Sequence, residues 1–375
     1  MKFVVSSSVL LGHMQAISKV IGGKSIYPIL NNVLLVVSED TLFATASDNE
    51  IRIEAKIKLE SVEEEGEITV SAKLLLDILK EFSDQPLLFE VSSITNEIKI
   101  KSESGEFSVA GESAENYPAE KPATASEDIV MNVTTGIMLE GVTKTLFATA
   151  NDELRPVMNC ILIEMKDDNF TFVASDSHKL VRYKRFDAKS ESGEYALVLP
   201  KKPAVMLKNI LPKNDTALVL SFNNNMGICE FGDYKMTFTL IEGRFPNYNS
   251  VIPQNNNKKA IIDKRTLNNV LRRVAVVANQ ASNLAQFDFS EDKVIISSQD
   301  VDYSMSGHEE IVCQYEGEPI SIGFKTPFVL ELLSNVSTES VMIELSAPNR
   351  PGLILPYESD ATQEDSLMLL MPMMV

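Results

Sequence analysis

The 375-residue chain has no tryptophan, three cysteines, three histidines and too little positive charge, 34 Lys and Arg against 53 Asp and Glu, for a formal net charge of −19. Each scarcity excludes something. Cys160, Cys229 and Cys313 are odd in number, far apart and set among apolar, strand-like residues, so they read as reduced core side chains and not as a disulfide framework. His13, His178 and His308 share no ligand spacing with each other or with a cysteine pair, so no metal and no cofactor is expected. No run of 18 apolar residues occurs, and residues 1–14 combine a single lysine with a short apolar stretch and no small-residue cleavage pattern. A membrane span and a secretory leader are therefore both unexpected, and the chain reads as cytoplasmic. The acidic balance by itself argues against a nucleic-acid partner, since phosphate binding needs Lys and Arg.

What is present is a repeat. At a constant offset of 128, Pro28 meets Pro156, Asn31 meets Asn159, Leu34 meets Leu162, Asp40 meets Asp168, and residues 46–48 (Ala-Ser-Asp) meet 174–176. A further offset of 124 carries Asn159 to Asn283, Asp168 to Asp292, Asp176 to Asp300 and Pro203 to Pro327. That period is too long for a solenoid unit of roughly 20–50 residues and matches a domain of about 100–150 residues. The chain is thus three copies of one fold, expected at 1–118, 129–248 and 259–375, with linkers at 119–128 and 249–258.

Within each copy the pattern runs strand, helix, several strands, and then the same again, which predicts an α+β domain with two helices packed on antiparallel sheet. The helices are expected at 9–21, 73–82, 137–148, 200–213, 263–278 and 325–333, with Ser6–Ser8, Ser71, Thr134–Thr135 and Asp263 as caps. The chain ends on a Met-rich apolar stretch, 367–375, without a charge. Tails are normally polar and loose, so this one is expected to be used.

Charge separates by element. The six expected helices hold thirteen basic and five acidic residues, a net of +8, which leaves −27 for strands and loops. If the helices share one surface, a basic lining within an acidic body follows, suited to phosphates and blind to base sequence; lysine-rich helix surfaces also occur simply for solubility and helix propensity. Head-to-tail joining of like domains closes into a ring or runs on as a filament. With helices about 10 Å across, six would enclose a bore near 20 Å and twelve, from two chains, roughly 40 Å. Only the larger admits a duplex whose two grooves are together about 16 Å deep.

Residues 175–180 (SDSHKL), 240–248 (LIEGRFPNY) and the terminal Met371-Pro372-Met373 resemble the bacterial DNA sliding clamps, the beta subunits of DNA polymerase III, and the likeness covers the whole chain. The resemblance implies three duplicated clamp-type domains forming half of a six-domain ring, a homodimer around double-stranded DNA with no reaction of its own. It implies as partners the DNA polymerase III catalytic subunit, a clamp loader, and other polymerases and repair proteins carrying a short clamp-binding peptide of Gln-Leu-x-Leu-Phe type. Carried over by position, the peptide pocket falls between the second and third copies on Met158, Ser175, Ser177, His178, Lys179, Leu180, Pro246, Val251, Pro351, Leu353, Leu369, Met371, Pro372 and Met373. Methionine suits such a surface, because its flexible thioether chain adapts to several partners. For DNA the resemblance points to Lys24, Lys201, Lys202, Lys325 and Phe328, and the helix pattern adds Arg272 and Arg273. Ring closure is expected near 105–109 and 274–277. Lys24, Ser250 and Met374 stand where many relatives carry Arg, which bears on partner preference. Two other readings stay open on residues alone: a hydrolase using His178 and Asp176, and a multidomain scaffold without a DNA role.

Overall fold

The structure, a computed structural model, describes residues 1–22, 27–120, 129–190, 193–359 and 362–374. Lys24, most of the first expected linker and Val375 lie outside the described residues. Six α-helices follow from six strand ends. α1 (Ser7–Ile17) continues the strand Lys2–Ser6, with the Ser6 hydroxyl accepting the Val9 N–H at 3.3 Å. α2 (Ala72–Lys80) is capped by Ser71, and α3 (Thr135–Thr145) by Thr134, which accepts the Ile137 N–H at 3.4 Å. α4 (Lys201–Ile210) follows the strand Tyr195–Pro200, and α5 (Lys264–Val274) is capped by Asp263, which accepts the Thr266 N–H at 2.7 Å. α6 (Thr326–Ser334) has no side-chain cap but carries a proline in its first turn, where a missing N–H costs nothing. These caps take up N–H groups that a helix start leaves unpaired.

The helices expected over 9–21 and 137–148 each change pitch before they end. α1 gives way to the 3₁₀ turn Ser18–Val20 and α3 to Leu146–Ala148. In α3 the cause is local: the Thr145 hydroxyl donates back to the Gly141 carbonyl at 2.7 Å, in competition with the regular ladder. Gly141 also allows α3 to lie against its sheet, since a Cβ there would run into the Phe172 ring.

The described strands form antiparallel sheets of thirteen, nine and four strands. By compactness the chain divides into two units, 1–139 with 202–242, and 140–201 with 243–375, so the division runs through the middle copy. The first unit holds the thirteen-stranded sheet, on which α1 and α2 pack through Leu10, Met14, Ile17, Leu75 and Leu79. Each such side chain, taken fully out of water, stabilises by about 1.5–3 kcal/mol. The second unit holds the other two sheets, with α5 and α6 packed together through Leu267, Val270, Leu271, Val274, Val329, Leu332 and Leu333. All three cysteines are buried and free.

Two pairings join one copy to the next within a unit. In the first, Ile51–Lys58 pairs antiparallel with Tyr234–Thr239, putting Tyr234 opposite Ala55 and Phe238 opposite Ile51. In the second, Lys179–Arg185 pairs with Glu364–Leu370 over seven residues, from Lys179 opposite Leu370 to Arg185 opposite Glu364. A bare edge would expose a row of N–H and C=O groups, and the last strand of the following copy covers it. The second expected linker is packed against its surroundings: Ile252 is buried, and the Asn256 amide donates to the carbonyls of Glu344 and Pro351 at 2.9 and 3.3 Å.

Candidate partner-binding junction and nucleic-acid face

The second junction is organised by one turn. Asp176 Oδ1 accepts the N–H groups of His178 and Lys179 at 2.9 and 2.8 Å, a short carboxylate closing a loop on its own backbone. Ser177 sits in the left-handed region at φ +75°, and the Ser175 hydroxyl donates across the turn to the Lys179 carbonyl at 2.9 Å. The Lys179 side chain turns inward and is 5% exposed. Its Nζ meets Asp176 Oδ2 at 2.9 Å, Glu331 Oε2 on α6 at 2.8 Å and the Phe328 ring face at 4.7 Å. Burial alone would lower its pKa, but the hydrogen bonds it donates to Glu331 and Asp176 prevail and hold it above the usual lysine value. The His178 ring stacks on the same Phe328 at 5.7 Å.

An apolar floor lies beside this turn. Leu162, Val173, Leu180, Leu353, Leu367 and Leu369 form a buried cluster with Tyr248 and Ile252, and Phe245 packs against it. The Tyr248 hydroxyl donates to Glu164 at 2.6 Å; burial, and then this carboxylate, push its pKa up. The terminal segment is fixed by its backbone, the Met371 N–H on the His178 carbonyl and the Met373 N–H on that of Gly323, each at 2.8 Å. The Met371 side chain is left 40% exposed.

The residues expected to form the pocket thus fall into three layers. Met158, Ser175, Lys179, Leu180, Leu353 and Leu369 are buried, Pro351, Pro372 and Met373 half-buried, and Ser177, His178, Pro246, Val251 and Met371 exposed. Reasoning from sequence missed the floor residues Leu162, Val173 and Leu367, which alternation along their strands could have supplied. It also missed Arg155, whose Nη1 donates to the Ser177 hydroxyl at 3.1 Å and whose Nε and Nη2 both reach Asp152 at 2.8 Å. Asp176 is committed to backbone N–H groups and Lys179, so it does not orient the His178 imidazole as a catalytic pair requires.

The helices keep their positive bias within the observed bounds, with ten basic and three acidic residues. The expected DNA residues differ in how free their charge is. Lys201 Nζ bonds the Ala150 carbonyl and Asn151 Oδ1 at 3.2 and 2.8 Å, and burial followed by repulsion from Lys179 lowers its pKa. Lys202 Nζ is paired with Asp48 at 2.5 Å and Glu50 at 3.4 Å. Arg273 forks onto Glu309 at 2.6 and 2.5 Å, whereas Arg272 beside it stands exposed. Lys325 lies over the Phe328 ring at 5.1 Å. Among the described residues no helix is long and apolar enough to cross a membrane, and no three His, Cys, Asp or Glu side chains gather as a metal site.

Comparison with known proteins decides the family. Profiles of the DNA polymerase III beta subunit match its N-terminal domain at residues 1–121, its central domain at 132–247 and its C-terminal domain at 249–374. The chain belongs to the bacterial DNA sliding clamp family. Its relatives include the beta sliding clamps of Pseudomonas putida, 26% identical over 375 residues and covering 100% of both chains, and of Synechococcus elongatus, 27% identical over 366 residues, 95% of this chain and 96% of the relative. Among solved clamps, a Pseudomonas aeruginosa sliding clamp bound to griselimycin superposes with a TM-score of 0.93 at 25% identity over 100% of both chains. The beta subunit from Thermotoga maritima, at 23% identity, shares the fold with a TM-score of 0.90 over 100% of this chain and 99% of its own.

Proposed function

We propose that two copies of this chain close head to tail into a ring that encircles duplex DNA and tethers replicative polymerase, clamp loader and repair proteins through the junction beside Met371. The ring acts without chemistry of its own. The observation that carries the reading is a pair of open strand edges in a family of clamps. Among the described residues, 106–110 of the strand Glu106–Glu112 pair only with Glu97–Lys101, and Met305–Val312 pairs only with Lys293–Asp300. Phe107 near the first edge and Val276 near the second are exposed apolar side chains. Antiparallel joining of one edge to the other would satisfy both rows of backbone groups. DNA is held by the basic helices through phosphates, hence without regard to sequence.

In this reading a partner's Gln-Leu-x-Leu-Phe-type peptide lays its apolar side chains on the Leu162–Leu180–Leu369 floor, between Pro246 and Val251 on one side and Met371 and Met373 on the other. The junction offers a preformed floor and a flexible methionine rim, which suits several partners. The test is physical. The protein should have twice its 41.5 kDa chain mass in solution, stay on a closed circular duplex and slide off once the circle is cut. Equal retention on both forms refutes the ring. Phe107→Asp should give the single-chain mass, and removal of 371–375 should abolish peptide binding while leaving the dimer.

A further inference from the structure

The first junction carries a cleft that the reading above leaves unused. It lies within the first unit, encloses about 240 Å³, and is floored by Leu30, Ile51, Met226 and Phe238, with Tyr27 and Pro118 at its sides and Asp48, Glu50 and Glu120 on its rim. The repeat makes it the counterpart of the partner junction. The offset of 128 carries Leu30 onto Met158, Ser47 onto Ser175, Asp48 onto Asp176 and Pro118 onto Pro246. The backbone follows suit: Asp48 Oδ1 accepts the N–H groups of Glu50 and Ile51 at 2.7 and 2.8 Å, the same closed turn as at Asp176. In both places the strand after the turn pairs with the last strand of the next copy.

The chemistry at the rim, however, is inverted. Where the second junction has the exposed Arg155 and His178, the first has Tyr27 and Glu50. Among the described residues that line it the one cation is Arg52, which is already engaged, with Nη1 donating to the Pro118 carbonyl at 3.0 Å and the guanidinium over the Tyr117 ring. Glu50 is 60% exposed and held only at 3.4 Å by Lys202, which sits closer to Asp48. Glu120 pairs with Lys235 at 2.8 Å. Leu30, Ile51 and Phe238 are buried, so the floor is set before anything binds. The cleft is smaller than the roughly 300–1,000 Å³ of a drug-sized site, a size for one or two side chains.

We propose that this cleft binds a short peptide segment of a partner protein that places a bulky apolar side chain on the Leu30–Phe238 floor and an adjacent lysine or arginine on Glu50 and Glu120. The choice of a peptide as occupant rests on the partner-peptide reading of the second junction; the cleft and its acidic rim do not. Two junctions of one ancestry would then sort partners by the sign of the charge beside the anchor.

Calorimetric titration of the full-length protein with an Arg-Leu-x-Phe-Arg peptide, capped at both ends, tests this. One site per chain is expected, weakened about tenfold or more by Glu50→Lys, which turns attraction into repulsion, and equally by Met226→Arg, which fills the floor. Both variants should bind a Gln-Leu-x-Leu-Phe peptide as the parent does, and the two peptides should not compete. Circular dichroism melting provides the fold control for each variant. The proposal is overturned if the basic peptide does not bind, binds both variants unchanged, competes with the Gln-Leu-x-Leu-Phe peptide, or is matched by a peptide with Glu in place of Arg. Binding of the basic peptide alone, with none of the Gln-Leu-x-Leu-Phe peptide, refutes the partner-site reading and supports this one.

Discussion

Lys179→Met keeps the length and most of the volume of the side chain and deletes one buried charge. What it leaves behind sets the size of the effect. Breaking a fully buried ion pair costs about 3–5 kcal/mol, because the surviving charge is stranded. Here Glu331 is 39% exposed and Asp176 15%, with Asp176 also bound to two N–H groups, so water and backbone recover part of that. A loss of about 2–3 kcal/mol is expected, including the contact of Nζ with the Phe328 ring. For a cooperative unit of this size that is a fall of roughly 4–12 °C in the melting midpoint. The double variant Lys179→Met, Glu331→Gln should regain some of it, since one stranded carboxylate is gone. Differential scanning calorimetry reads both. A shift below about 1 °C for the single variant, or an equal loss in the double, refutes a stabilising role for the Lys179–Glu331 pair. Lys179 has its pKa raised on folding, so its contribution is complete below the unfolded value and disappears only as pH climbs through the folded one, in strongly alkaline solution.

Two other outcomes follow from the charges. Arg272→Ala and Lys325→Ala should each weaken retention on circular DNA and reduce the slope of log affinity against log salt by about 1. Arg273→Ala should change that slope little, because Glu309 already occupies the guanidinium; a loss as large as that of Arg272→Ala would contradict it. His13, half-buried on α1 against the Tyr234 ring, has its pKa lowered by burial, against the opposing pull of Asp233. The unfolded chain takes the proton first, so stability is present above the unfolded value of 6.5 and falls as pH drops through the folded one. Urea titrations of His13→Gln between pH 7 and 5 should show a flatter decline than the parent, and parallel slopes would refute the assignment.

Much of this was legible in the residues. Ser71 and Asp263 announce α2 and α5 because a short polar side chain ahead of an amphipathic run has one local use, and the structure keeps both caps. The Pro28 and Pro156 repeats fold into the same 3₁₀ turn, Pro28–Asn31 and Pro156–Asn159. The rest depended on what lies far away along the chain. Nothing near Lys179 in sequence says that Glu331 will meet it, and nothing near Arg273 announces Glu309. The first-junction cleft could have been found, since the offset that matched Asp48 to Asp176 also matched its lining; what hid it was the change of residue type at the rim, from Arg155 and His178 to Tyr27 and Glu50.

The ladder between Ile51–Lys58 and Tyr234–Thr239 has a consequence for synthesis on the ribosome. The earlier strand leaves the exit tunnel about 180 residues before its partner, and at roughly 5–20 residues per second it waits some 10–40 s. Over that interval a half-apolar strand in the nascent chain has one side without a mate, and the same delay recurs between Lys179–Arg185 and the closing strand near the C-terminus. Premature release, or a stop codon placed at the end of a copy, therefore yields a sticky fragment rather than a smaller working protein.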